Sequence, residues 1–307
     1  MILATDVSKF FGSFPAVQNL NFSIENGEII GFIGPNGAGK TTTMRMLTGY
    51  LPASSGTISI ANLDVFSHTM SVKKNVGYLP ETPPVYPALT VGNYLDFVAD
   101  IRGIPHRNKK LRIAEVMEQV GLKGWEKRII RSLSKGYKQR VGLAQAIIHD
   151  PKVLILDEPT SGLDPAQLVG IRKFIQDLAQ TKTVILSTHI LSEVELICQR
   201  AIIINQGQIV ADDNLDNIRE LAGGIRYRIG IRCDVEDIPL QISQLANISK
   251  VVLLDKIEDL YRLDIYASED PRDTISFFAH QNRFQLREME RVIPTLEEAF
   301  LTIVEVE

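Results

Sequence analysis

The sequence predicts an α/β protein organised around a phosphate-binding loop, with a smaller α+β domain behind it. Three observations carry this. The loop Gly34–Thr41 (GPNGAGKT) lies between an apolar run and a helical segment. Two further apolar runs, Val153–Leu156 and Val184–Leu186, end in acidic or polar residues, as buried parallel strands do at their ligand-facing edge. Beyond Asn217 the pattern changes to short alternating strands and amphipathic helices.

The loop is preceded by the apolar run Glu28–Ile33 and opens a helix, Thr42–Thr48, that closes at Gly49. Its spacing is G-x-x-x-x-G-K-[ST]. Glycines at 34, 37 and 39 let backbone N–H groups turn inward and approach phosphate oxygens with no Cβ in the way. The following helix adds the positive end of its dipole. Gly34, Pro35, Asn36, Gly37, Ala38, Gly39, Lys40, Thr41 and Thr42 are therefore assigned to nucleotide binding. Lys40 reaches the β- and γ-phosphates and the Thr41 hydroxyl ligates Mg²⁺. A glycine-rich turn with a chance lysine is the weaker alternative. The sequence reads as a binder of a nucleoside triphosphate.

Taken in order, Ile2–Val7 and Asn21–Ile33 read as strands, with turns at Gly12 and Asn26-Gly27. Phe10 and Phe11 lie between them. Phe11 is chosen to stack an adenine ring, against the equal alternative that either aromatic is plain core. Ser55–Val65 gives another strand, and Val76–Glu81 a short one ending in an acid. The proline-rich stretch Thr82–Pro87 demands an extended, exposed loop. Thr90 caps a helix with Val91, Tyr94, Leu95 and Val98 on one face. A second helix, Asn108–Val120, places Leu111, Ala114, Met117 and Val120 together, and Arg107, Lys109, Lys110 and Arg112 read as a solvated start. Residues 81–148 thus form a helical insertion in the α/β frame.

Leu133–Arg140 leads into the helix Val141–His149, with Ser134 as its cap and a terminus able to take an anion. Asp157 and Glu158 close the apolar strand that starts at Lys152. Asp157 holds Mg²⁺, directly or through its water, and Glu158 accepts a proton from the attacking water. Pro165 starts a helix after Asp164, its apolar face carrying Ile171, Phe174, Ile175 and Leu178. His189, at the end of the strand Val184–Thr188, either senses a γ-phosphate or is structural.

Composition bounds the rest. A chain of 307 residues holds two domains, and a net charge of −4 gives no electrostatic case for nucleic acid as a partner. Cys198 and Cys233 have no metal-like spacing, which fits a reduced setting. Asp6 and the lack of a long apolar core argue against a signal peptide. No apolar run reaches the roughly 18 residues that cross a bilayer.

These landmarks resemble the nucleotide-binding subunit of an ATP-binding cassette (ABC) transporter, over Met1–Asp216. Five motifs agree in order: the loop Gly34–Thr41, the signature Leu133–Tyr137, the acids Asp157 and Glu158, the D-loop Ser161–Asp164, and the switch His189. The resemblance implies the P-loop ABC ATPase cassette fold, a RecA-like core plus a helical subdomain, with ATP and Mg²⁺ as cofactors. It places Phe11 at the adenine, gives Lys40, Glu158 and His189 catalytic roles, and makes Thr41, Asp157 and Glu81 the metal ligands. It also implies head-to-tail dimers, in which Ser134, Gly136 and Asp164 of one copy approach the nucleotide held by the other. Two positions depart from the usual pattern: Glu81 stands for glutamine, and LSKGY for LSGGQ. Both departures resemble a subfamily of exporters of the gliding-motility, drug-resistance and sodium-efflux type, whose membrane subunit is a separate chain.

In the tail, 217–307, the order strand–helix–strand–strand–helix–strand is ferredoxin-like, with a last helix at Leu296–Val304. An accessory or regulatory role is expected there. The whole reads as a Mg²⁺-dependent ATPase that drives an exporter. Its expected partners are an integral membrane permease and a second ATPase subunit, a copy of itself. Its expected place is cytoplasmic, peripheral on the inner face of the cell membrane. Two rival readings stand beside this one: a soluble cassette acting on ribosomes or DNA, and a regulatory module of low turnover.

Overall fold

In the computed structural model, which describes residues 1–223 and 225–305, the apolar runs become neighbouring strands of one sheet. The chain divides into two compact units, Met1–Asn214 and Leu215–Glu307. The boundary expected after Asp216 falls two residues into the first helix of the second unit. Of the tail expected over 217–307, residues 224, 306 and 307 lie outside the described residues.

In the first unit, β1 (Ile2–Phe11) and β2 (Phe14–Ile24) make a hairpin, and β3 (Ile29–Ile33) leads to α1 (Lys40–Leu47). Then come β4 (Ser55–Ile60), β5 (Leu63–Asp64), α2 (Thr69–Asn75) and β6 (Val76–Leu79). Helices α3 (Val91–Ile101), α4 (His106–Gln119) and α5 (Lys135–Ile147) follow. The unit closes with β7 (Val153–Asp157), α6 (Pro165–Ala179), β8 (Thr183–Thr188), α7 (Leu191–Ile197), β9 (Arg200–Asn205) and β10 (Gln208–Asn214). A six-stranded sheet runs β10-β9-β3-β8-β7-β6, parallel except at β10, beside a four-stranded antiparallel sheet β2-β1-β4-β5. Every residue of β7 and β8 is buried, which is why those runs are continuously apolar rather than alternating. Between the two sheets Phe22 packs on Phe32, with ring centroids 6.1 Å apart, among Ile30, Met44, Leu47 and Ile58. Each such side chain contributes about 2 kcal/mol on leaving water.

Several expectations needed correction. The turn expected at Asn26-Gly27 is present, with Gly27 at φ +79°, and it divides Asn21–Ile33 between β2 and β3, which go to different sheets. The strand expected over Ser55–Val65 breaks at Ala61 and Asn62, both at positive φ, as a type I′ hairpin turn requires. Helix α2 was not foreseen. In α4, Leu111 is 66% exposed and Ala114 is exposed, so they are not on the packed face. That face instead includes Lys109, buried beneath ion pairs to Asp96 (2.9 Å) and Asp100 (2.7 Å) of α3. Arg112 donates to the carbonyls of Ile147 and Ile148, both at 2.8 Å. These two cations staple the helical insertion together, where a solvated start was expected.

The second unit contains α8 (Leu215–Gly223), β11 (Ile225–Arg232), α9 (Ile238–Ser243), β12 (Ile248–Ile257), β13 (Leu260–Ala267), α10 (Arg272–Gln281), β14 (Gln285–Arg291) and α11 (Leu296–Glu305). Its antiparallel sheet has the order β12-β13-β11-β14, which is the ferredoxin-like arrangement. Ile229, Ile231, Leu263 and Ile265 share a core with Ile238, Ile242 and Ile275 of α9 and α10. Asp264 of β13 is clamped by Arg226 and Arg228 of β11.

Candidate active site

The phosphate loop leaves β3 at the carboxyl edge of the parallel strands, where α/β sheets hold their ligands. Its tightness is dictated by backbone contact. A Cβ on Gly34 would lie 2.3 Å from the Ile204 carbonyl oxygen, and one on Gly39, at φ +105°, would lie 2.7 Å from that of Ala16. Gly39 is also the N-cap of α1 and offers no capping side chain, and no acid occupies the first turn. The helix start is therefore left to receive an outside anion. Lys40 is buried and its Nζ donates to the carbonyls of Gly34 (2.7 Å) and Pro35 (3.0 Å). Burial lowers its pKa, while the carboxylates of Glu158, Asp157 and Glu81 pull it back up.

Asp157, at the end of β7, accepts from the Ser187 hydroxyl at 2.8 Å through Oδ1. Its Oδ2 is buried without a hydrogen-bond partner. Burial pushes this carboxyl up; the Ser187 and Thr41 hydroxyls oppose that, and Glu158 and Glu81 add to it. Glu158 has φ +50°, a conformation that costs a non-glycine residue about 1 kcal/mol. Its N–H donates to the Ser187 carbonyl at 2.8 Å, and its carboxylate oxygens lie 2.8 and 2.9 Å from His189 Nδ1.

One cavity of about 530 Å³ collects Phe11, Asn36, Gly37, Gly39, Lys40, Thr41, Thr42, Glu81, Glu158 and His189 among its lining residues. Gly34, Pro35 and Ala38 are not among them, and neither is Asp157, which is fully buried. Phe11, 51% exposed, presents its ring with Lys9 Nζ 5.4 Å from the centroid. The lining also contains Phe14, 62% exposed, and Ala16, neither foreseen from the sequence. Phe14 is the direct cross-strand partner of Phe11 over the Gly12-Ser13 turn. An aromatic three residues after Phe11, across a glycine turn, was the signal available.

Ser134, Gly136 and Asp164 do not line this cavity. Ser134 accepts from the Tyr137 N–H as the cap of α5, and Asp164 accepts from the Gln167 N–H at 2.9 Å as the cap of α6. The two helix starts abut. A Cβ on Gly136 would collide with the Gln167 amide, and Lys135 Nζ lies 3.5 Å from Ser161 Oγ. The ring of Tyr137 stacks on Trp125 with centroids 3.9 Å apart.

The profile of the ABC transporter family matches residues 17–161. The chain is 34% identical to the linearmycin resistance ATP-binding protein LnrL of Bacillus subtilis (strain 168), over 99% of this chain and 98% of that one. It is 40% identical to the bacitracin transport ATP-binding protein BcrA of Bacillus licheniformis, over 72% of each. A solved ATP-binding subunit of an ABC transporter superimposes with a TM-score of 0.67 at 28% identity, covering 72% of this chain and 92% of that one. The chain belongs to the ATP-binding proteins of ABC transporters and is an ATPase subunit of a transporter.

Proposed function

We propose that this ATPase powers export through a separate membrane permease, hydrolysing ATP with Glu158 as general base. The observation that carries the reading is the shared cavity in which Lys40, Glu158 and His189 meet the phosphate loop. In this reading the loop N–H groups and Lys40 hold the phosphates, and Phe11 stacks the base. Glu158 takes the proton of the attacking water, while His189, hydrogen-bonded to its carboxylate, fixes where that carboxylate points. Mg²⁺ fits the residues present: Asp157 Oδ2 is an orphaned buried oxygen, and Thr41 and Glu81 line the adjoining cavity. Those three residues would hold the ion, which supplies charge neutralisation at the phosphates.

Ser134, Gly136 and Asp164 lie away from the cavity of their own chain, which supports a head-to-tail pair in which a second copy brings them to the nucleotide. Among the described residues no helix is long and apolar enough to cross a membrane. In this reading a separate permease chain supplies the pathway. The docking face is the proline-rich loop and α3. There Tyr86 packs on Tyr94 and Phe97, with centroids 5.9 and 5.5 Å away, and Tyr86, Phe97 and Ile101 are exposed. Such a subunit works peripherally on the inner face of the cell membrane. A relative named for linearmycin resistance supports export as the direction.

The test is to purify the tagged chain from detergent-solubilised native membranes. A co-purifying multi-span protein is expected. Recovery only from the soluble fraction, or with ribosomes, contradicts the exporter reading while leaving the ATPase intact.

A further inference from the structure

We infer that Glu193 is a positioning residue for hydrolysis, acting through Thr160; this rests on reading Glu158 and His189 as the hydrolytic pair. Glu193 lies on α7, four residues after His189, and is 0% exposed. A buried carboxylate is costly unless its partners repay the loss of water, and a well-packed apolar residue would fill the same space more cheaply. Its partners therefore show what it is for. Oε2 accepts from the hydroxyl of Thr160, itself buried, and Oε1 lies 3.6 Å from Arg172 Nη2 on α6.

Thr160 follows Glu158 by two residues. One carboxylate thus fastens the segment leaving Glu158 to the helix leaving His189. At the near end the pair meets directly, His189 Nδ1 lying 2.8 Å from Glu158 Oε1. The contacts close a ring: Glu158 to Thr160 through the chain, Thr160 to Glu193, Glu193 back to His189 through α7, and His189 to Glu158. A further tie holds α6 against α7, where Gln176 Nε2 donates to the Leu196 carbonyl at 2.8 Å.

The need for such a ring follows from the backbone of Glu158. A non-glycine residue at φ +50° keeps that conformation only where its surroundings enforce it. The hydrogen bond from its N–H to the Ser187 carbonyl anchors the side facing β8. On the outgoing side, the Thr160 hydroxyl is the buried side-chain tie, and Glu193 is its acceptor; the contact of Lys135 with Ser161 beyond it is exposed. Lys40 meets this ring through the charge of Glu158 alone; its hydrogen bonds go to the phosphate-loop carbonyls of Gly34 and Pro35. Loosening it therefore displaces the base while leaving in place the hydrogen bonds that hold Lys40 in the phosphate loop. A base displaced by an ångström costs on the order of a hundredfold in rate.

The experiment measures phosphate release and nucleotide affinity of the purified full chain, together with its Tm. It compares the parent with Thr160→Val, Thr160→Ser, Glu193→Leu and Glu158→Gln. Thr160→Val is isosteric and leaves the core filled, so it remains informative if Glu193→Leu fails to fold. Thr160→Val is expected to lower kcat roughly tenfold or more, with nucleotide Kd within about twofold, and Thr160→Ser to restore kcat to within about twofold. Parental kcat in Thr160→Val beside an inactive Glu158→Gln overturns the positioning role alone. Equal losses of kcat and affinity overturn it as well, because they mark a general loosening. Parental turnover in Glu158→Gln removes the base reading and the inference with it.

Discussion

Asp157 of the first unit and Asp264 of the second are both enclosed, 0% and 1% exposed, yet the chain treats them in opposite ways. Burial alone would raise the Asp264 carboxyl, but Arg228 and Arg226 outweigh it and hold the group below the usual carboxylate range. Among the described residues Asp157 has no arginine pair of that kind. Burial raises its carboxyl, two hydroxyls only partly offset this, and one oxygen has no partner. Around it the chain sets Glu158 and Glu81 against the ammonium of Lys40. In the second unit the buried charge is compensated in place, as a structural element must be. In the first it is compensated only in part, beside a loop shaped for phosphate. The difference teaches where chemistry is to be sought: at the acid whose charge the protein itself does not balance.

This contrast can be broken at several points. Glu158→Gln should lower phosphate release about a thousandfold while leaving nucleotide affinity within about twofold, since only the proton acceptor is lost. Asp264→Asn leaves two arginines facing a neutral amide and should destabilise the second unit by about 3 kcal/mol in urea unfolding. Asp157→Asn, without divalent cations, should instead be neutral or stabilising by about 1 kcal/mol, because it removes a buried charge that one ammonium shares with two other carboxylates and that leaves one oxygen unpartnered. Equal destabilisation by both substitutions would erase the contrast.

The same logic fixes a pH dependence. The folded-state pKa of Asp264 is depressed, so its contribution is present above the unfolded value of about 3.9 and is lost as pH falls below it towards the folded value. The urea midpoint of the second unit should therefore drop on acidification below about pH 4, and Asp264→Asn should flatten that drop. The smallest effects belong to the hairpin tip. Phe11→Ala should weaken nucleotide binding by about 1 kcal/mol in a fluorescent-nucleotide titration, and Phe14→Ala by less. A larger loss at Phe14 would move the base to the other side of the Gly12-Ser13 turn.

What was legible in the sequence was local. Gly34–Thr41 is contiguous, and its glycines, lysine and threonine carry their chemistry in their spacing. Asp157 and Glu158 announce themselves by ending an apolar run. What was hidden depends on partners distant in sequence. The stripe expected on α4 failed because helical periodicity counts apolar residues and cannot see Lys109 buried by Asp96 and Asp100 on α3. The Arg112 contacts lie 35 and 36 residues away, and Thr160 meets Glu193 across 33. Phe14 was missed for a different reason, since its importance comes from the register of a hairpin rather than from the loop motif. The signature residues stand between these cases. Ser134 and Asp164 were legible as helix caps, but that the two helix starts abut through Gly136 and Gln167 was not.

The most direct test is thermal unfolding of the full chain with a non-hydrolysable ATP analogue, with and without Mg²⁺, for the parent and Asp157→Asn. If Asp157 Oδ2 is the oxygen left for the cation, Mg²⁺ raises the Tm of the nucleotide-bound parent and leaves the variant's Tm unchanged. An equal Mg²⁺-dependent rise in both proteins would contradict the account.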